Sequence, residues 1–229
     1  DADFTKYNQP FVLPYTIHTL FDEYMMKPAL FMKGKLKMVE PGSGETIIEF
    51  PKPVGKLKGV YTLHSELATF PSSFKNKGIK ECSFRVTFPE EFSKQIRFLI
   101  ESGFASDKEV EVSGIKVKPR DFTAKIMDQW LPKEETKIND LEYLRLEFKG
   151  KQKGKNKKFV SYCLIKSNKK YNFPAGSYDT GVPPSVIAQM IANKQVKKYG
   201  VLPPELCINP EIFFKELRKR NINVFMRNK

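Results

Sequence analysis

Two short segments of this chain gather side chains with chemical capability. The first is His64-Ser65-Glu66-Leu67-Ala68-Thr69, which follows the strand-like run Tyr61-Thr62-Leu63 and supplies an imidazole, two hydroxyls and a carboxylate. A loop at a strand end can present such groups without drawing on the sheet's own hydrogen bonds, so the set suits holding a carboxylate or an ammonium group. The same residues also suit a plain turn in which Ser65 and Thr69 act only as local caps. The second segment is Ser177-Tyr178-Asp179-Thr180-Gly181-Val182-Pro183-Pro184-Ser185. A glycine followed by prolines that open a helix predicts backbone N–H groups, with the Thr180 hydroxyl, beside a helix N-terminus that would attract a carboxylate. Ordinary N-capping is the alternative at this position.

Several common chemistries are excluded. Gly42-Ser43-Gly44 has no third glycine and is followed by a strand, so it does not open a dinucleotide-binding βαβ unit. Gly150 and Gly154 precede Lys155 with the wrong spacing for a phosphate-binding loop, and neither H-E-x-x-H nor G-x-S-x-G occurs. With two histidines in the chain, His18 and His64, a histidine-rich metal site cannot form. His18 lies inside the first helix and reads as a structural or exposed side chain. Cys82, Cys163 and Cys207 are far apart and odd in number, which argues against a disulfide framework or a zinc site and fits a reducing cytoplasm.

The elements that must position these residues follow from periodicity. Pro14 to Met26 carries Ile17, Leu20, Phe21 and Tyr24 at helical spacing. Ala29 to Glu40 folds back on Lys33-Gly34 as a hairpin, and Thr46 to Phe50 forms a strand that Pro51 and Pro53 stop. From Ile79 to Phe88 the alternation of Cys82, Phe84, Val86 and Phe88 predicts one strand, followed by a helix with Phe92, Ile96, Leu99 and Ile100 inward and Gly103 at its end. A hairpin over Glu109 to Val117 precedes a helix from Pro119 to Trp130, with Trp130 as a core anchor. Later come a helix from Pro183 to Ile191, another from Pro210 to Arg220, and a strand from Ile222 to Met226. Hairpins outnumber possible crossovers, which gives an α+β fold with a mixed, largely antiparallel sheet covered by helices. No linker demands two independent domains.

The 229 residues are 40% hydrophobic and include 19 Phe and 9 Tyr, enough for a sizeable core despite a mean hydropathy of −0.45. No apolar run approaches the roughly 20 residues of a membrane span. The net charge is +14, and nine lysines with no acid lie between Phe148 and Tyr178, so about two-thirds of the excess is one local feature. Strand-like runs at Leu141 to Phe148 and Phe159 to Ile165 flank Lys149 to Lys158, which reads as a solvated hairpin tip that also blocks edge-to-edge association. A nucleic-acid-binding module built on Lys149 to Lys170, with Tyr162 and Tyr171 to stack, is the rival reading. It lacks any signature of the common RNA-binding modules, so nucleic acid is not the expected partner.

Taken in order, Phe50-Pro51-x-Pro53-x-Gly55, the segment from His64 to Pro71, Thr180-Gly181-Val182-Pro183-Pro184-Ser185-Val186-Ile187-Ala188 and Gly200-Val201-Leu202-Pro203-Pro204-Glu205 resemble the C-terminal part of the saccharopine dehydrogenase family. The resemblance implies a substrate-binding and dimerisation domain over residues 1–229, with a lysine-rich hairpin insertion around residues 149–158. It also implies an NAD(P)-dependent oxidoreductase of lysine metabolism, with NAD or NADP bound mainly by an N-terminal domain absent from this chain. The chain opens Asp1-Ala2-Asp3-Phe4 without an initiating Met, in keeping with a processed or partial sequence. By position, His64, Ser65, Glu66 and Thr69 would line the substrate side of the cleft, and Thr180 and Gly181 a second wall. His64 would pair with a substrate carboxylate, and Glu66 would meet the substrate ammonium or orient His64. The expected partners are a small carboxylated amino acid, saccharopine or a relative such as carboxynorspermidine, and a second copy of the chain. The expected compartment is the cytoplasm, with no membrane association.

Overall fold

The computed structural model describes residues 13–130 and 139–228. The chain divides into two compact units, one within residues 7–134 and the other dominated by residues 135–229. Among the described residues the fold is α+β, as the periodicities predict. All strand pairs there are antiparallel, and they are shared among three three-stranded sheets and one two-stranded hairpin.

The first unit begins with α1 (Ile17–Met25), capped by the Thr16 hydroxyl, which accepts from the Thr19 amide at 3.4 Å. Pro14 therefore precedes the cap instead of occupying the first turn. The i, i+3, i+4 set Ile17, Leu20 and Phe21 is buried, and Ile96, Ala105 and Ala124 complete the core around it. β1 (Ala29–Met32) and β2 (Lys35–Met38) turn on Lys33-Gly34. β3 (Thr46–Glu49) pairs with β4 (Lys56–Tyr61), which leads into α2 (Glu66–Ser73).

The expected single strand from Ile79 to Phe88 is divided. β5 (Glu81–Cys82) pairs with β1, whereas β6 (Arg85–Thr87) pairs with β4 in another sheet. Period-two alternation reports which side chains share a face and carries no information about the partner strand, so the break at Ser83-Phe84 left no mark in the pattern. α3 (Glu90–Glu101) starts with Glu90 and Glu91, whose charges suit the positive end of the helix, and closes on Gly103. There Gly103 N–H reaches Ile100 C=O at 3.0 Å and Phe104 N–H reaches Leu99 C=O at 2.9 Å, the paired bonds of a Schellman ending. The hairpin β7 (Val110–Val112) and β8 (Ile115–Val117) leads to α4 (Pro119–Met127) and a 3-10 turn over Asp128–Trp130. The side chain of Trp130 lies outside the described residues.

His18 proves structural. Its Nδ1 accepts from Arg120 Nε at 3.0 Å, and the same guanidinium donates to His18 C=O at 2.8 Å and Asp22 Oδ1 at 2.6 Å, tying α1 to α4.

The second unit is the sheet of β9 (Leu141–Gln152), β10 (Lys155–Lys166) and β11 (Asn223–Asn228), packed on α5 (Ala175–Ala192) and α7 (Pro210–Arg218), with α6 (Pro204–Cys207) between the helices in sequence. Its core joins Cys163 and Ile165 of β10 to Ala175, Val186 and Met190 of α5 and Leu217 of α7. β9 and β10 run further than the flanking apolar runs predict, through most of the lysine-rich segment, and turn on Lys153-Gly154 with φ of 50° and 77°. Positive φ at both positions is the two-residue turn whose twist matches the strands it joins. Among the described residues no helix is long and apolar enough to cross a membrane.

Candidate substrate site

The first cluster forms where β4 gives way to α2. Leu67, 4% exposed, anchors the start of α2 and thereby fixes the approach through Leu63, His64 and Ser65. Ser65 occupies the N-cap position with helical dihedrals and makes no side-chain capping bond, so its exposed hydroxyl is not spent on the helix. Thr69 lies half-buried inside α2, one turn along from Ser65. The capping alternative therefore does not describe Ser65.

Glu66, in the first turn of α2, pairs with His64 Nδ1. The imidazole also lies flat on Phe84, with ring centroids 3.6 Å apart and planes 6° apart. Burial against this surface lowers the His64 pKa below its ordinary 6.5. A neutral ring whose Nδ1–H faces Glu66 leaves Nε2 as an acceptor, whereas a protonated ring presents a second N–H there. The side chains are 39% and 37% exposed, so the pair stands open to a ligand while its backbone is fixed.

Thr62, two residues before His64, is 2% exposed and its hydroxyl has no hydrogen-bond partner among the described residues. Its amide donates to Phe84 C=O at 3.4 Å, which extends the β4–β6 ladder by one rung toward His64. Tyr61 and Arg85 face each other on the preceding rung, with the guanidinium 4.0 Å above the ring centroid and Arg85 Nε also buried without a partner. Gly44, at φ +69°, lies so close to the Tyr61 ring that any Cβ would run into it. By alternation, Thr62 and Phe84 point to the side opposite Tyr61 and Arg85. Thr62 Oγ1 and Arg85 Nε are therefore left unpaired on opposite sides of neighbouring rungs.

The second predicted segment has a different geometry from the one expected. The helix does not open at Pro183. α5 begins at Ala175, so Thr180 and Gly181 lie within it, both exposed, and Pro183 and Pro184 are interior. Proline at the first turn of a helix and proline inside one look alike in a short window. The deciding feature was Asp140, whose Oδ1 accepts from the Ala175 amide at 2.9 Å and starts the helix eight residues earlier than Pro183. Since a proline has no N–H, the carbonyls of Asp179 and Thr180 receive no i+4 amide. The segment thus presents acceptors where anion-binding donors were expected.

Those acceptors adjoin a carboxylate group that sequence reasoning missed. Glu142 of β9 reaches Gly176, where a Cβ would lie 3.1 Å from its Oε2. Burial raises the pKa of Glu142 and of Asp140, and Asp179 is pushed up to about 7 by burial and by the Glu142 and Asp140 charges. Cys163, on β10, is raised to about 11 by burial and the Asp179 charge. Asp179 lay within the second segment with no role assigned, and no local signal joined it to Asp140 and Glu142, because the three come from a helix, a loop and a strand. Phe84 was visible as part of an alternating run, but its stacking on His64 was not. Among the described residues no cluster of His, Cys, Asp or Glu is arranged to hold a metal ion. His64, Ser65, Glu66 and Thr69 belong to the first unit, and Thr180 and Gly181 to the second.

Residues 5–222 match the family model of the saccharopine dehydrogenase C-terminal domain. Among solved structures, apo histidine-tagged saccharopine dehydrogenase (L-Glu forming) from Saccharomyces cerevisiae is similar to this chain with a TM-score of 0.70 and 13% sequence identity. The similarity covers 95% of this chain and 62% of that one, so the chain spans less than two-thirds of the length of that protein. The ordered motifs from Phe50 to Glu205, the antiparallel α+β build and the match over residues 5–222 lead to one assignment: this chain belongs to the saccharopine dehydrogenase C-terminal domain family.

Proposed function

We propose that the chain is the substrate-binding and dimerisation portion of a saccharopine dehydrogenase-like oxidoreductase that moves a hydride between NAD or NADP and the C–N bond of saccharopine or a related carboxylated amine in lysine metabolism. The observation that carries this reading is the His64–Glu66 pair laid on Phe84, within the segment that carries the family resemblance. Hydride transfer needs no side-chain nucleophile, so the tasks left to the protein are orientation and electrostatics. Glu66 fixes the ring and tautomer of His64. Nε2 then accepts from a substrate N–H when the ring is neutral and donates to a substrate carboxylate when it is protonated. The exposed hydroxyl of Ser65 is a further donor for a carboxylate oxygen. Within the second unit, Thr180 and Gly181, with the Asp179 carboxyl beside them, form a separate group of residues that suits an ammonium or amine N–H.

Among the described residues every strand pair is antiparallel, and none forms the strand, glycine turn and helix that hold a pyrophosphate, which supports a dinucleotide seat in another part of the enzyme. The dinucleotide would be bound elsewhere in the enzyme, and this chain's residues act on the substrate alone. The test is kinetic, in the complete enzyme with saccharopine and each nicotinamide cofactor. His64→Ala and Glu66→Ala should each lower kcat/KM at least tenfold, about 1.4 kcal/mol of transition-state stabilisation. Unchanged kcat/KM in both variants would remove the site. Sedimentation of the chain as a monomer at micromolar concentration would remove the dimerisation role.

A further inference from the structure

Beyond the Asn228↔Phe159 pairing, the last one described for β11, β9 and β10 continue as a pair through Lys149↔Lys158, Gly150↔Lys157, Lys151↔Asn156 and Gln152↔Lys155. At about 3.3 Å per residue this part of the hairpin extends roughly 13 Å. Its charge is distributed in two steps. At the base, Glu147 holds Lys149 at 2.9 Å, Lys158 at 3.1 Å and Arg145 at 2.8 Å, and these contacts, led by Lys149, lower the Glu147 pKa to about 2. Beyond it Lys151, Lys153, Lys155 and Lys157 are all exposed, and none has an ion-pair partner among the described residues. Alternation places Lys151 on the face of Lys149 and Lys158, Lys155 and Lys157 on the opposite face, and Lys153 at the turn.

We propose that this ribbon binds double-stranded DNA by entering its major groove and meeting phosphates on both walls. A two-stranded ribbon fits a groove about 12 Å wide, and ammonium groups on both faces match a cleft lined with anions on either side. A flat anionic membrane would meet one face only and would favour apolar side chains at the tip, whereas Phe148 and Phe159 are the last ones before it. Contacts of this kind position the ribbon without reading bases. The inference stands apart from the enzymatic reading, since it uses none of the same residues.

The test uses the full chain, a fluorescent DNA duplex of ~20 base pairs of random sequence, and vesicles containing ~30% phosphatidylserine. Four phosphate contacts predict a slope of log K against log salt of about −3.6, equivalent to a roughly 150-fold loss of affinity between about 50 and 200 mM salt. Replacing Lys151, Lys153, Lys155 and Lys157 together by Gln should abolish that slope while leaving the circular dichroism spectrum unchanged, because all four are on the surface. The proposal is overturned by no duplex binding at about 50 mM salt, by equal binding of the variant, or by tighter lysine-dependent binding to the vesicles than to the duplex.

Discussion

Replacing Asp179 by asparagine tests whether the carboxyl group that α5 presents beside Glu142 is carried as an acid and not as a carboxylate. Burial, followed by the Glu142 charge, sets the Asp179 pKa at about 7 against an ordinary 3.8. A carboxyl group whose folded pKa lies above its unfolded one contributes stability that is fully present below the unfolded value and is lost as pH rises through the folded value. The window here runs from about pH 4 to somewhat above pH 7. The displacement of roughly three units, at about 1.4 kcal/mol each, sets an upper bound near 4 kcal/mol. Asp179 is only half-buried, and solvent screening reduces the expected effect to about 1–3 kcal/mol. The carboxamide of Asp179→Asn would keep an acceptor for the Thr180 hydroxyl, which approaches Asp179 Oδ1 at 3.4 Å, but would not ionise. D179N should therefore match the parent near pH 4 and exceed it by about 1–3 kcal/mol near pH 9, a rise in Tm of about 2–12 °C. Thermal unfolding followed by circular dichroism across that range measures both limits. A variant no more stable than the parent near pH 9, or equally stabilised at both ends, would refute the shared-charge account of this cluster.

Two further substitutions probe the first unit. Gly44→Ala forces a side chain into φ +69° and into the Tyr61 ring, and should cost about 2–4 kcal/mol in urea denaturation; a loss below about 0.5 kcal/mol would mean that Tyr61 is not seated there. Arg120→Ala removes a guanidinium that is only 12% exposed and leaves Asp22 and His18 without it, for an expected loss of about 2–4 kcal/mol. Arg120→Lys should recover little of this, because a single ammonium cannot reproduce the fork that reaches Asp22 and both His18 acceptors.

Much of the fold was legible because local signals and tertiary packing agree. Ile17, Leu20 and Phe21 announce the buried face of α1, and Lys33-Gly34 and Ser113-Gly114 mark two hairpin turns whose first residues have positive φ. What stayed hidden depends on partners distant in sequence. The division of the run around Ser83-Phe84 follows from β1 and β4 each claiming one end, which no pattern within the run encodes. The start of α5 was misplaced because Asp140, far back along the chain, supplies the acceptor that opens the helix at Ala175. At the candidate site the motif located His64 and Glu66 as neighbours, while the surface beneath the imidazole came from Phe84, which adjacency in sequence could not supply.

The break at Ser83-Phe84 has a mechanical consequence. These two residues are the joint between β5 in one small sheet and β6 in another, so any sliding of the sheets against each other must be absorbed as rotation about Ser83 and Phe84. Phe84 carries the His64 ring in parallel contact, and Glu66 tethers the same ring to the first turn of α2. The imidazole thus sits where two small sheets meet, and its orientation depends on both Phe84 and the first turn of α2.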